Sequence, residues 1–232
     1  LDRVAVRDAC SVAVVLAATV ALVVSVVRRR AGVAGERARR DRRAARVAAM
    51  NVEVTRAVDP RPGPDPTVPE FPPTLDLVAP LFGVIGLVAA GVAAGGPDVL
   101  AVARTLVGAA FLGAVSDAML LGHWYLVQPG LGRAPLLDLN RWLARMWPLE
   151  VAVLLWPTGM LSVLSGRIDD GYSGVLGWFW VACAAATLVL TFVTAAALRE
   201  RAYSAVMAAT GLLYLAILTA FGTDLVARAI LA

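Results

Sequence analysis

The chain contains no lysine, so all 21 of its basic residues are arginine. Histidine occurs once, at His123, and cysteine twice, at Cys10 and Cys183. These shortages exclude several chemistries. Two cysteines so far apart in sequence supply neither a disulfide framework nor the spacing of a Cys/His metal site, and their default role is small apolar packing. A single histidine cannot give bis-histidine haem ligation. A His–Met pair with Met119, Met146, Met160 or Met207 is chemically allowed, but no spacing supports it. The chain also lacks a Gly-rich phosphate loop, a G-x-S-x-G elbow and an H-E-x-x-H pair. Nucleophilic or metal-dependent catalysis is therefore not expected, and no cofactor is required, with haem and quinone left open as ligands.

Charge is scarce as well. Only 16% of residues are charged while 59% are hydrophobic, and the mean hydropathy is +0.76. An ordinary soluble domain does not have this composition, so the bilayer is the expected solvent. Eleven of the 21 arginines fall between Arg28 and Arg61. The net charge of +4 thus reflects one segment and bears on membrane topology rather than on nucleic acid, which is not an expected partner. The lack of lysine beside abundant Ala, Val and Arg fits a bacterial genome of high GC content, and with it a bacterial cytoplasmic (inner) membrane.

The fold class expected is all-α: a polytopic bundle of six transmembrane helices, with both termini outside. An apolar run from Ala9 to Val27 ends in Arg28-Arg29-Arg30, a stop-transfer pattern rather than a cleavage site, and forms an N-terminal anchor over residues 1–30. Residues 31–73 form a cytoplasmic arm. Its first part is Ala/Arg-rich, with Arg37, Arg39, Arg40, Arg42, Arg43 and Arg46 as candidates for docking anionic lipid or an acidic partner, and its second part has seven prolines in residues 59–74. Residues 74–232 carry the other five spans, near 75–94, 99–127, 139–165, 173–198 and 203–231. Thr74 and Asp138 are the expected N-caps of the second and fourth. Gly91 with Gly95, Ala109 with Gly113 and Ala114 with Ala118 repeat the small-xxx-small spacing of close helix packing.

An ionisable side chain inside a span is costly and by default marks an interior site. Asp117 and Glu150 qualify, and with the third and fourth spans so drawn both fall near the midplane, about 15 to 18 Å deep. With Thr191, Thr210 and Tyr214 they suggest a polar interior able to relay protons. The alternative is that the hydroxyls bond backbone carbonyls while the acids find an arginine or stay protonated. His123, Trp124, Tyr125 and Arg145 are candidates for a quinone head group, or else for an aromatic belt with a snorkelling arginine. Asp224 and Arg228, four apart near the end of the last span, read as an interfacial ion pair.

Three functions fit. The first is a non-catalytic subunit of a larger membrane complex, energy-transducing or electron-transporting, whose partners are lipids and other membrane subunits met by the basic arm. Next comes a small proton-linked transporter or channel using the two carboxylates, and last a quinone-interacting redox protein.

Overall fold

A bilayer core supplies no hydrogen bonds, so a chain that enters it must satisfy its amides within each segment, and a helix does that locally. In the computed structural model, which describes residues 2–29, 31–32, 67–94, 98–127, 133–156, 159–200 and 202–231, the protein is all-helical, with no strands among the described residues. The helices are α1 (Arg3–Val27), α2 (Val78–Ala93), α3 (Asp98–Val127), α4 (Ala134–Leu155), α5 (Met160–Leu164), α6 (Val175–Arg199) and α7 (Tyr203–Leu231). Five segments are long and apolar enough to cross a membrane: Arg3–Val27, Pro73–Ala93, Val99–Val127, Val175–Arg199 and Ser204–Leu231. The chain is a multi-pass membrane protein. The basic stretch from Arg37 to Arg46, the proline-rich spacer up to residue 66, and Gly95 lie outside the described residues.

The chain divides into two compact units, Leu1–Ala90 and Gly91–Ala232. In the first, α1 begins earlier than its apolar run because Asp2 accepts a hydrogen bond from the Val4 amide at 3.1 Å and caps the helix. Gly86 of α2 meets Cys10 of α1, where an added Cβ would stand 3.0 Å from the Cys10 Cβ. Arg28 donates to the Glu70 carbonyl at 3.1 Å and the Phe71 amide to the Gly32 carbonyl at 3.0 Å, so the two ends of the arm meet there. Thr74 does not cap α2. A 3-10 turn over Pro73–Leu77 leads into it, and its N-cap is Pro72, which has no side chain able to accept.

In the second unit α3, α4, α6 and α7 form a four-helix bundle in which α3 packs on α4 and α7, and α6 packs on α4 and α7. Neighbours run antiparallel: Gly122 faces Thr210 while Gly108 faces Asp224, and Asn140 bonds to residue 191 while Trp147 bonds to residue 184. The core has three layers. Leu136, Leu198 and Leu213 fill the end near Val127, Phe111, Leu143 and Ala216 the middle, and Leu154, Met160 and Trp180 the end near α5. The Asn140 amide donates to the Thr191 carbonyl at 3.0 Å and the Trp147 indole to the Ala184 carbonyl at 2.9 Å, pinning α4 to α6. Gly222 leaves room for Cys183, whose Sγ would stand 2.7 Å from an added Cβ.

Two expectations for the fourth span change. Asp138 is not its N-cap, because α4 already starts at Ala134, with Pro135 in the first turn, and Asp138 pairs with Arg141 at 2.7 Å. Nor does the helix run to 165. It passes through Pro148 but ends at Leu155, where Trp156 is extended with φ −125° and ψ 151°. Trp156 precedes Pro157 in sequence, and a residue before proline is pushed out of the helical region.

The turn between α5 and α6 is built on Asp170, buried at 9% exposure. Its carboxylate accepts from the amides of Tyr172 at 2.9 Å, Gly174 at 2.8 Å, Leu176 at 2.9 Å and Gly177 at 3.3 Å. The last two are free amides of the first turn of α6. Gly171 and Gly174 supply the left-handed backbone the turn requires, with φ of 72° and 85°. The Gly174 amide above all holds the Asp170 carboxyl below its ordinary value, aided by the Tyr172, Gly177 and Leu176 amides and opposed by desolvation. Such a group stabilises the fold above its unfolded pKa and loses that contribution as pH falls through its lower folded value. Thermal melts in detergent should therefore show an acid-side loss of stability that Asp170→Asn flattens, while lowering the melting temperature at neutral pH. Superimposable profiles would remove Asp170 as the organiser of this turn.

Candidate functional site, a buried cluster of acids and arginines

The residues that could carry chemistry converge in the bundle layer next to α5. Glu150 on α4 is fully buried, and neither of its carboxylate oxygens accepts from a donor among the described residues. Asp224 on α7 and its partner Arg228 lie close enough to act on it electrostatically. Asp224 is itself 3% exposed. Arg228, one turn further along α7, chelates it, with Nε 2.7 Å from one carboxylate oxygen and 2.8 Å from the other. The same guanidinium donates through Nη2 to the Arg104 carbonyl on α3 at 2.9 Å. Arg104 in turn donates from Nε to the Val153 carbonyl of α4 at 2.8 Å, so the cluster ties three helices together. Its buried Nη2 has no partner among the described residues.

Glycine makes the space. A Cβ on Gly108 would collide with Arg228 Nη2 and stand 2.8 Å from an Asp224 carboxylate oxygen, so α3 can lie against the pair only with no side chain there. At Gly159 a Cβ would collide with the Leu154 carbonyl and stand 3.2 Å from Arg104 Nη2. The electrostatics follow from counting. Two arginines and two ionised acids sum to zero, and a proton on Glu150 leaves the cluster at +1. Arg228 already occupies Asp224, so Glu150 is the member without a dedicated counter-charge. Ionised in an apolar layer without donors it is costly. A proton, or a rearranged arginine, is the chemistry that completes it.

The structure separates the two expected carboxylates. Asp117 is exposed, ten residues or about 15 Å from the Val127 end of α3, whereas Glu150 is five residues or about 7.5 Å from the opposite end of the bundle. The expected start of the fourth span near 139 is what had put them level; the helix starts at Ala134, so Glu150 lies sixteen residues, about 24 Å, from the end at which Asp117 is ten residues deep. Thr191 and Thr210 are buried in other layers and satisfied by backbone. Thr191 donates to the Thr187 carbonyl at 2.7 Å, and Thr210 lies 2.9 Å from the Val206 carbonyl and 3.1 Å from that of Gly122.

Tyr214 is on the outside, where its hydroxyl meets His123 Nδ1 at 3.1 Å with the rings edge to face at 87°. The structure thus joins one residue from each expected group into a pair across α3 and α7. Trp124 is half-exposed beside it, while Tyr125 turns inward into the core. The guanidinium of Arg145 stacks over Trp142, 5.7 Å from its ring centroid.

Arg104, Asp224 and Arg228 are the members that the sequence reading missed or placed at the interface. Two signals point to them: Arg104 is an arginine six residues into an apolar helix, and Gly108 follows it one turn later. The chain matches no family model, no curated protein and no solved structure.

Asp224 is buried while Arg228 is 39% exposed, so removing the arginine leaves a buried carboxylate without its counter-charge, at a cost of at most about 3 to 5 kcal/mol. Arg228→Met should therefore lower the unfolding midpoint in detergent strongly, and the double variant Arg228→Met with Asp224→Leu should recover most of the loss. An Arg228→Met protein as stable as the parent would mean that Asp224 is not held by this arginine.

Proposed function

We propose that the chain is a six-span protein of a bacterial cytoplasmic membrane that moves protons, alone or with a solute, with Glu150 as the group that takes up and releases them. The observation that carries this reading is the complete burial of both Glu150 oxygens without a donor, beside an Asp224 already occupied by Arg228. Uptake of a proton would remove the charge from the donor-less Glu150 oxygens and leave the cluster at +1. Loss of the proton would return the cluster to zero and draw on the unpartnered Nη2 of Arg104 or on Arg228. The cluster thus has two charge states that differ by one proton, and intramembrane acids of this kind serve proton relays.

The sixth span in this reading is α4. Its 22 residues reach about 33 Å, enough to cross, and its polar side chains lower its hydropathy because Asn140 and Glu150 face the bundle. With arginines flanking the 3–4 and 6–7 connections at Arg133, Arg141, Arg199 and Arg201, the positive-inside rule puts both termini outside. A single cysteine at Ser173, with Cys10 and Cys183 changed to alanine, should react with an impermeant maleimide from outside intact cells. A cysteine at Ala202 should react only after lysis. The reversed pattern would overturn the orientation.

The purified chain in proteoliposomes holding a pH-sensitive dye should show a proton flux under an imposed potential, and Glu150→Gln should cut it at least about tenfold while Asp224→Glu retains part of it. Equal flux in the parent and Glu150→Gln would end this reading.

A second reading is a subunit of a larger, electron-transporting membrane assembly, with Arg37, Arg39, Arg40, Arg42, Arg43 and Arg46 docking anionic lipid or an acidic partner. It is favoured by α1, whose most apolar stretch has no residue buried among the described residues and so leaves helix surface for another protein.

A further inference from the structure

Asp117 stands out because it is an ionisable residue within a span and on the outside. α3 is one of the membrane-crossing segments, and Asp117 lies about 7 Å from the midpoint of its 30 residues, inside a hydrocarbon core of about 30 Å centred on that helix. Its side chain is exposed, and no described residue bonds to it. Lysine and arginine reach an interface along their long stems, but an aspartate cannot cover the remaining 8 Å or so. An ionisable group at this depth almost always faces protein or water rather than lipid.

The neighbours of Asp117 on the same stripe fit a helix. Ala110, Gly113, Asp117, Leu120 and Trp124 fall on one side of α3 by the spacing of three and four, and all five are exposed. A Cβ added at Gly113 meets nothing within 4 Å, so this part of α3 is a shallow, open strip that another backbone can approach closely. We infer that this stripe of α3 is the docking surface for a transmembrane helix of a partner protein that presents a basic side chain level with Asp117. The inference rests on the second functional reading and gives it a surface and a chemistry.

Charge decides the occupant. A second copy bound through the same stripe about a two-fold axis would set two Asp117 carboxylates face to face in hydrocarbon, the like-charge arrangement that interfaces avoid. Within this chain, α2 has no charged or hydroxyl side chain over Val78–Ala93, and the basic residues of α1 are Arg3 and Arg7 at its very start. A partner helix with an arginine, lysine or histidine at the matching depth supplies both the donor and the counter-charge.

The test uses the full chain in its native membrane, with a photo-crosslinking residue in place of Ala110 or of Leu120. Crosslinks are expected to a transmembrane segment of another protein that has a basic residue within one turn of the Asp117 level. Asp117→Asn should reduce that crosslink at least about fivefold, as befits a polar contact between helices in lipid, while Asp117→Glu keeps it. Asp117→Arg should abolish it, and exchanging the partner's basic residue for aspartate should restore it. Helical content and detergent elution of each variant report folding separately. Crosslinks only to lipid, to α1 or α2, or to a second copy overturn the inference, as does an undiminished crosslink in Asp117→Asn. A complex whose contacts lie elsewhere on the chain overturns this surface and leaves the subunit reading standing, whereas a chain that migrates alone from intact membranes overturns both.

Discussion

Hydrocarbon gives a polar group nothing to bond to, and the described structure is arranged around that constraint. It makes every membrane-crossing segment among the described residues helical, because a helix satisfies its own amides locally. It also sends several buried hydroxyls back to their own helices, as Thr191 does to the Thr187 carbonyl and Thr223 to that of Thr219. The ionisable groups have no such local recourse. In the bundle they have been gathered into one layer, where Arg228 holds Asp224 and hydrogen bonds from Arg228 and Arg104 tie α7 to α3 and α3 to α4. Glu150 shares that layer without sharing its hydrogen bonds. The cluster is therefore both a fastening and an unfinished site, and the same arginines that fasten it set the field in which Glu150 would exchange a proton.

Five of the six expected spans were legible in the sequence because apolar runs of the right length are their direct signature, and five segments meet that standard in the structure. The boundaries of the fourth were not. It contains Pro148 and precedes Pro157, and sequence alone treats both as possible breaks or possible kinks. Which one ends the helix is decided by tertiary support: Trp147 and Glu150 on either side of Pro148 are held within the bundle, whereas Trp156 is 70% exposed and extends ahead of Pro157. Helix starts were misread for a related reason. Asp138 and Thr74 are good capping residues by type, but the chain begins those elements earlier, at Ala134 and Pro73, where proline sets the backbone.

The site was half legible. An acid inside an apolar run announces itself, so Glu150 and Asp117 were found, but their relative depths depended on where the fourth helix begins, and a start drawn near 139 rather than at Ala134 made them appear level. Asp224 and Arg228 were recognised as an i, i+4 pair, yet their closeness to the chain's end hid the fact that Asp224 points into the bundle at 3% exposure. Arg104 carried a signal only in combination with Gly108, because the need for glycine arises from a side chain 120 residues further on, at Arg228. Contacts between distant helices are what a single sequence does not display. The His123–Tyr214 pair shows the same limit: both residues stood out, and only the antiparallel crossing of α3 and α7 brings them to 3.1 Å.

The two acids also illustrate how burial sorts one chemistry into two roles. Glu150, inside, has its environment fixed by the chain itself, so its charge state is a property of the bundle and of whatever proton path reaches it. Asp117, outside, has no such environment within the described residues, and in a membrane its state depends on what lies against α3. Were both structural, one would expect each to be matched by an arginine of this chain, as Asp224 is. The bundle has the arginines to do so, yet it commits Arg228 to Asp224 and turns Arg145 away over Trp142. The unmatched acids are accordingly where function should be sought, the inner one for proton exchange and the outer one for assembly.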